Sequence, residues 1–155
     1  AQYGLPTFLV RPFHTYGPGL QPNDGRVFAD FCFNVVRGEN IVINSDGQAR
    51  RAFCYASDAV AGIFTVLLKG EPVTPYNVGN PAGELSVMEL ADLLVGLYPD
   101  KGLSVDKKIS RDIESGYIAS TVSRLIPSVA RLRLLGWEAQ VSPSEGFRRM
   151  IDVYS

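Results

Sequence analysis

Short apolar runs of strand length alternate along this chain with stretches of helical period, and that alternation limits the fold more than any other feature. Residues 7–11, Ile41–Ile43, residues 52–55 and Pro75–Val78 are each of strand size. Between and after them, Val27–Arg37, residues 58–69 and Val87–Leu97 repeat apolar positions at intervals of three and four. Interleaved strands and helices define the α/β class. The apolar runs are too few and too short for a complete doubly wound sheet. The expected architecture is therefore part of one, a partial Rossmann-type fold with short strands and about five helices.

In chain order, Phe8, Leu9 and Val10 form a continuous apolar run, the pattern of a strand buried on both faces, and Pro12 closes it because proline cannot donate to a sheet. Residues 13–26, with Pro18, Gly19, Pro22 and Asp24-Gly25, read as loop. The helix Val27–Arg37 turns Val27, Phe28, Phe31, Cys32, Val35 and Val36 inward and stops at Gly38. Ile41–Ile43 then passes through an Asp46-Gly47 turn into 52–55, the layout of a hairpin, with Arg50 and Arg51 at the entrance of its second strand. Asp58 is placed to cap a helix whose inner face is Val60, Ile63, Phe64, Leu67 and Leu68. Ser86 and Glu89 form a capping box for the next helix, and a weak strand falls within 103–109. Residues 110–127 read mostly as loop. A short helix over 129–135 ends at Gly136, Trp137 reads as a core anchor, and Ser142, Pro143 and Glu145 open the last helix.

A net charge of −1, with no basic cluster longer than a pair, gives no electrostatic footprint for nucleic acid. No apolar run approaches a membrane span, and the first residues lack the layout of a signal peptide. Cys32 and Cys54 sit inside apolar patterns and read as free buried thiols, which suits a reducing cytoplasm. One histidine and no close ligand spacing leave little for a metal site built by the protein. A strand-like run within ten residues of the first position suggests a start inside a longer protein. An arginine fixed at a strand entrance can present a planar fork of donors to a phosphate or carboxylate. Local pattern alone reads as a surface hairpin carrying two solvated arginines.

Four segments, taken in order, give the arginines a context: TFLVRPFHTYGPG; DGRVFADFCFNVVRGENIVI; DGQARRAFCYASDAV; and YNVGNPAGELSVMELADLL with LRLLGWEAQVSPSEGFRRMI. Together they resemble the carboxyl-terminal half of the nucleotide-sugar epimerase/dehydratase family, the extended short-chain dehydrogenases/reductases. The nearest resemblance is to UDP-glucuronate decarboxylase-like and dTDP-glucose 4,6-dehydratase-like members. The resemblance implies NAD-dependent chemistry through transient oxidation of the sugar at C4, a UDP- or dTDP-sugar as substrate, and a homodimeric parent in the cytoplasm. It also implies roles. Phe13 would lie by the nicotinamide, and Arg51 would grip the diphosphate. His14, where the family usually has asparagine, would touch a substrate phosphate. Val27 and Phe28 would line the nucleotide pocket, Val42 and Asn44 the base, with Asn44 replacing the family's aromatic residue. Arg124 would contact phosphate or sugar, with Arg111 competing for that place.

The family's G-x-x-G-x-x-G loop and Y-x-x-x-K pair have no counterpart here: no two glycines are three apart, and no tyrosine has a lysine four residues on. Residues 1–155 are thus expected to be the substrate-binding portion of a longer enzyme, without the dinucleotide-binding portion, binding NAD weakly or not at all and inactive alone. The competing readings are a non-catalytic module for nucleotide diphosphates and a purely structural module. Apolar surface where the other half would dock is a further expectation.

Overall fold

The computed structural model of this 155-residue chain describes residues 4–22, 24–108 and 122–155. In order come β1 (Leu9–Pro12), β2 (Thr15–Tyr16), α1 (Val27–Arg37), β3 (Ile41–Ile43), β4 (Arg50–Ala52), β5 (Cys54–Tyr55), α2 (Ala56–Lys69) and β6 (Pro75–Val78). Then follow β7 (Glu84–Ser86), α3 (Val87–Leu97), β8 (Val105–Lys107), β9 (Arg124–Leu125), α4 (Ala130–Leu134) and α5 (Pro143–Asp152). The result is an α/β fold of short, mostly parallel strands. β1 pairs with β6, β2 with β5 and β3 with β8, all parallel, while β4 lies between antiparallel β7 and parallel β9.

Local chemistry sets the helix ends. α1 stops at Gly38, whose φ of 73° is left-handed, and the Gly38 amide donates to the carbonyls of Asn34 and Val35. α3 opens on the expected capping box: the Ser86 hydroxyl accepts from the Glu89 amide at 3.0 Å, and the Glu89 carboxylate accepts from the Ser86 amide at 2.7 Å. Ser142 caps α5 through the Glu145 amide at 3.3 Å, with Pro143 in the first turn.

Two cores result. One gathers α1, α3 and α5 around Phe53, Phe147, Leu90, Leu94, Ile41 and Ile43. The other lies between α2, β6 and α4, around Val66, Val78, Leu132 and Trp137. Cys32 and Cys54 are buried and unbridged, and burial pushes both thiols up to about 12. Among the described residues no helix is long and apolar enough to cross a membrane, and no group of three potential ligands could hold a metal ion.

Several expectations are corrected. Ile41–Ile43 and Arg50–Ala52 do not form a hairpin: the Asp46-Gly47 turn sends them into different sheets, because each finds its partner in a later segment. The second run also divides at Phe53, whose amide makes the last bond toward the β7 side, to Gly83 O at 3.0 Å, after which Cys54–Tyr55 pairs with β2 instead. β2 itself lies inside the stretch read as loop. β1 is not buried on both faces, since Leu9 is 42% exposed on a strand paired along one edge.

The largest correction concerns α2. Its expected inner face is its outer one: Val60, Ile63, Phe64, Leu67 and Leu68 are exposed, and Ala59, Gly62 and Val66 are buried. Close approach is the reason. A Cβ on Gly62 would stand 2.9 Å from Val78 Cγ1, so at that position β6 leaves no room for a side chain. Asp58 is not the helix cap either. It lies within the first turn of α2, where its Oδ2 accepts the amides of Gln140 (3.0 Å) and Val141 (2.9 Å), and its carbonyl accepts Trp137 Nε1 at 3.0 Å. Val27 is exposed rather than inward. In the stretch read as loop, residues 110–121, and with them Arg111, fall outside the described residues, while Arg124–Leu125 is the strand β9.

Candidate functional site

Phe53 marks the corner where the chain leaves one sheet for another, and the site forms around it. Its buried ring meets those of His14 (6.1 Å between centroids), Phe28 (5.7 Å), Tyr16 (6.2 Å) and Phe147 (5.5 Å), all edge-on. Around this aromatic floor stand one imidazole and two guanidinium groups. His14 follows the end of β1 by two residues, Arg51 lies on β4 immediately before the corner, and Arg26 is the residue from which α1 starts.

His14 has a backbone φ of 34°, left-handed for a residue with a side chain. Its carbonyl is held by the Cys54 amide at 3.2 Å. Its Nδ1 is buried without a hydrogen-bond partner among the described residues, as is the hydroxyl of Thr15. Burial first, and then the Arg51 and Arg26 guanidinium charges, hold the imidazole below its ordinary 6.5. The two arginines therefore act on the same ring from different elements.

Arg51 is fixed rather than trailing. Its Nη1 donates to Arg50 O at 2.7 Å and its Nη2 to Val122 O at 2.9 Å. Neighbouring side chains on a strand point to opposite faces, so Arg50 turns away from Arg51. Arg50 is no idle surface charge: it pairs with Glu84 (2.7 Å) and Glu89 (2.9 Å), tying β4 to β7 and to α3. Arg124 is the parallel partner of Arg50 in register and reaches the same Glu84 through Nε and Nη2, each at 2.8 Å. Glu84 thus neutralises two arginines that face each other, and together they pull its carboxyl from 4.5 down to about 2.

The sequence candidates therefore separate. His14 and Arg51 come together. Val27 follows Arg26 at the start of α1, 42% exposed, whereas Phe28 is 2% exposed and belongs to the floor. Arg124 stands with Arg50 and Glu84, across the strand from Arg51. Phe13 is half-buried at the end of β1, with its amide on Val78 O at 2.9 Å and its Cβ against Gly79. Val42 is half-buried opposite Asp106 on β3, Asn44 is exposed just beyond it, and neither bonds to His14 or Arg51 among the described contacts.

Arg26 is the residue the sequence reading missed. Its guanidinium lies 4.9 Å from the Phe28 ring centroid and pairs with Asp24, Nη2 to Oδ2 at 2.6 Å. Its place directly before the periodic stretch, next to the candidate Val27, was the available signal.

Do these residues suit a dinucleotide? α2 directly follows a parallel strand, as a pyrophosphate-binding helix does, but it opens on Tyr55 and Ala56 and not on a glycine turn. The described residues offer no cradle of that kind, and Phe13 is their one candidate contact for a nicotinamide. A separate cavity of about 300 Å³, lined by residues including Arg11, Asn77 and Arg131, contains none of the candidates.

Residues 1–79 match the model of the NAD dependent epimerase/dehydratase family. UDP-glucuronic acid decarboxylase 6 of Arabidopsis thaliana is 33% identical over 153 residues, 96% of this chain and 41% of the relative. UDP-glucuronic acid decarboxylase 1 of Xenopus tropicalis is 32% identical over 155 residues, 99% of this chain and 34% of the relative. The crystal structure of UDP-glucose 4-epimerase from Thermotoga maritima, solved with UDP-glucose, superposes with a TM-score of 0.81 at 26% identity, over 99% of this chain and 47% of that one. The chain spans 41% or less of these curated relatives.

Proposed function

Because the chain belongs to the NAD dependent epimerase/dehydratase family, we propose that it is the sugar-nucleotide-binding portion of a nucleotide-sugar decarboxylase, dehydratase or epimerase. The observation that carries this reading is the meeting of Arg51 and His14 on the Phe53 floor. They belong to segments far apart in sequence, and the Arg51 and Arg26 guanidinium charges both reach the His14 ring. A diphosphate answers those charges, and a guanidinium held by backbone carbonyls is already oriented to meet it. Val27, exposed at the start of α1, would line the nucleotide. The relatives named as UDP-glucuronic acid decarboxylases make UDP the first base to test.

NAD in this reading is held mainly by polypeptide beyond these residues, which would also supply the proton-transfer groups. Two features support a missing partner half: the second edge of β1 is unpaired among the described strands, and α2 exposes a row of large apolar side chains. When bound, NAD would take a hydride from the sugar; the residues of this chain would hold the handle of the substrate.

Calorimetric titration of the 155-residue chain with UDP-glucose and dTDP-glucose tests the binding role. Losing a charge-assisted contact in Arg51→Ala should cost about 1.5–3 kcal/mol, roughly 10- to 150-fold in affinity. Equal affinity of variant and wild type would remove Arg51 from the site. Turnover of UDP-glucuronate with NAD by this chain alone would overturn the division of labour.

A further inference from the structure

We infer that His14 takes up a proton when the diphosphate of a sugar nucleotide binds, so that this site holds its ligand more tightly as pH falls. The inference rests on the binding role proposed above and adds a linkage that an asparagine at this position could not produce.

The geometry makes the imidazole a poised group. The backbone at His14 is left-handed and pinned by the Cys54 amide, the ring edge is set against Phe53, and Nδ1 is enclosed without a partner among the described residues. The charged groups that face it are Arg51 from β4 and Arg26 from the start of α1. Asp24 is engaged by Arg26, and no carboxylate bonds to the imidazole among the described residues. β5 contributes the Cys54 backbone, and the corner between the strands contributes the neutral Phe53 ring. In the free protein the ring therefore sits among cations, partly desolvated, and stays neutral at pH 7.

A bound diphosphate reverses the sign of that field. Two negative charges beside Arg51 would offset the guanidinium repulsion and give a protonated imidazole an anionic acceptor, which favours the charged form. The folded free state has its pKa below 6.5, and the bound state has it higher. Affinity is then greatest below the free-state value. It falls by at most about tenfold per pH unit as pH rises toward the bound-state value, and is flat above it. A diphosphate esterified on both sides has no proton of its own to titrate near neutrality, so the linkage belongs to the protein.

His14 is the chain's only histidine, which makes the test direct. The imidazole Hε1 resonance is followed by NMR between about pH 5.5 and about pH 8, the range that brackets an ordinary histidine, free and saturated with UDP-glucose. The expected result is a midpoint below 6.5 in the free chain that rises by about one unit or more in the complex. Calorimetry at neutral pH in buffers of different ionisation heat should show net proton uptake in the wild type and none in His14→Asn. Asparagine tolerates the left-handed backbone, so that variant should fold and bind UDP-glucose more weakly than the wild type at low pH, with an affinity flat in pH. An unchanged midpoint with UDP-glucose visibly bound overturns the inference and leaves the binding reading standing. Absence of UDP-glucose binding at every pH overturns both.

Discussion

Asp58 offers the sharpest test of how this chain is held together. Replacing it by alanine removes the oxygen that accepts the amides of Gln140 and Val141, at 3.0 and 2.9 Å, from a side chain only 6% exposed. Bonds to a charged acceptor contribute about 1.5–3 kcal/mol each. Gln140 is exposed and its amide can recover a water, so only the Val141 bond counts in full. The expected loss for Asp58→Ala is then about 2–4 kcal/mol. Asp58→Asn keeps one carbonyl oxygen for the same amides without the charge, and should lose roughly half as much. Urea unfolding measures both as a lower midpoint at unchanged slope; with a slope of about 2 kcal/mol per molar, alanine should move the midpoint by about 1–2 M. If alanine falls within about 0.5 kcal/mol of the wild type, or does no worse than asparagine, the clasp between α2 and the segment before α5 is not holding the two together.

Three further substitutions have defined outcomes. Gly146→Ala should destabilise by about 1–3 kcal/mol in a thermal or urea melt, since its Cβ would stand 2.9 Å from both Tyr16 Cζ and Tyr55 Cδ2. Gly96→Ala, exposed near the end of α3 with no atom within 4 Å of the new Cβ, should raise stability by about 0.5 kcal/mol. Glu84, lowered to about 2 first by Arg124 and then by Arg50, contributes stability that is fully present above its unfolded value near 4.5 and is lost as pH falls through about 2. The stability difference between the wild type and Glu84→Gln should therefore shrink steadily across that acid range.

The parts of the fold that were legible in the sequence are those decided by local chemistry. α1 runs from Val27 to Arg37 because Gly38 can take the left-handed turn, and α3 and α5 start where Ser86 and Ser142 can accept an amide. Pro75–Val78 is likewise a strand as expected. The misreadings share one cause: they depended on what each segment would touch. α2 is apolar over most of its circumference, so its period could not say which side meets β6; the small residues face inward because the helices and strands come close there. The Asp46-Gly47 turn looked like a hairpin because partners at residues 84–86, 105–107 and 124–125 are invisible to local pattern. At the site, motif likeness brought Arg51 and His14 forward together, and the structure sets Arg51 near enough for its charge to act on the imidazole. It could not foresee that Arg124 would be engaged by Glu84, since that depends on the register of β9 against β4.

The division into two cores also has an optical consequence. Trp137 is the chain's one tryptophan, and it lies wholly on the β6 side, its indole bonded to the backbone of Asp58. The stacked Tyr16–Phe147 pair, with ring centroids 4.0 Å apart, lies on the Phe53 side. Indole emission therefore follows the packing of α2 against α4, while near-ultraviolet ellipticity, to which the stacked pair contributes, also reports on the core around Phe53. Superimposable unfolding curves from the two signals would mark one cooperative unit, and separated curves would date which half lets go first. The sequence carries its own pair of probes, one on each side of the corner at Phe53.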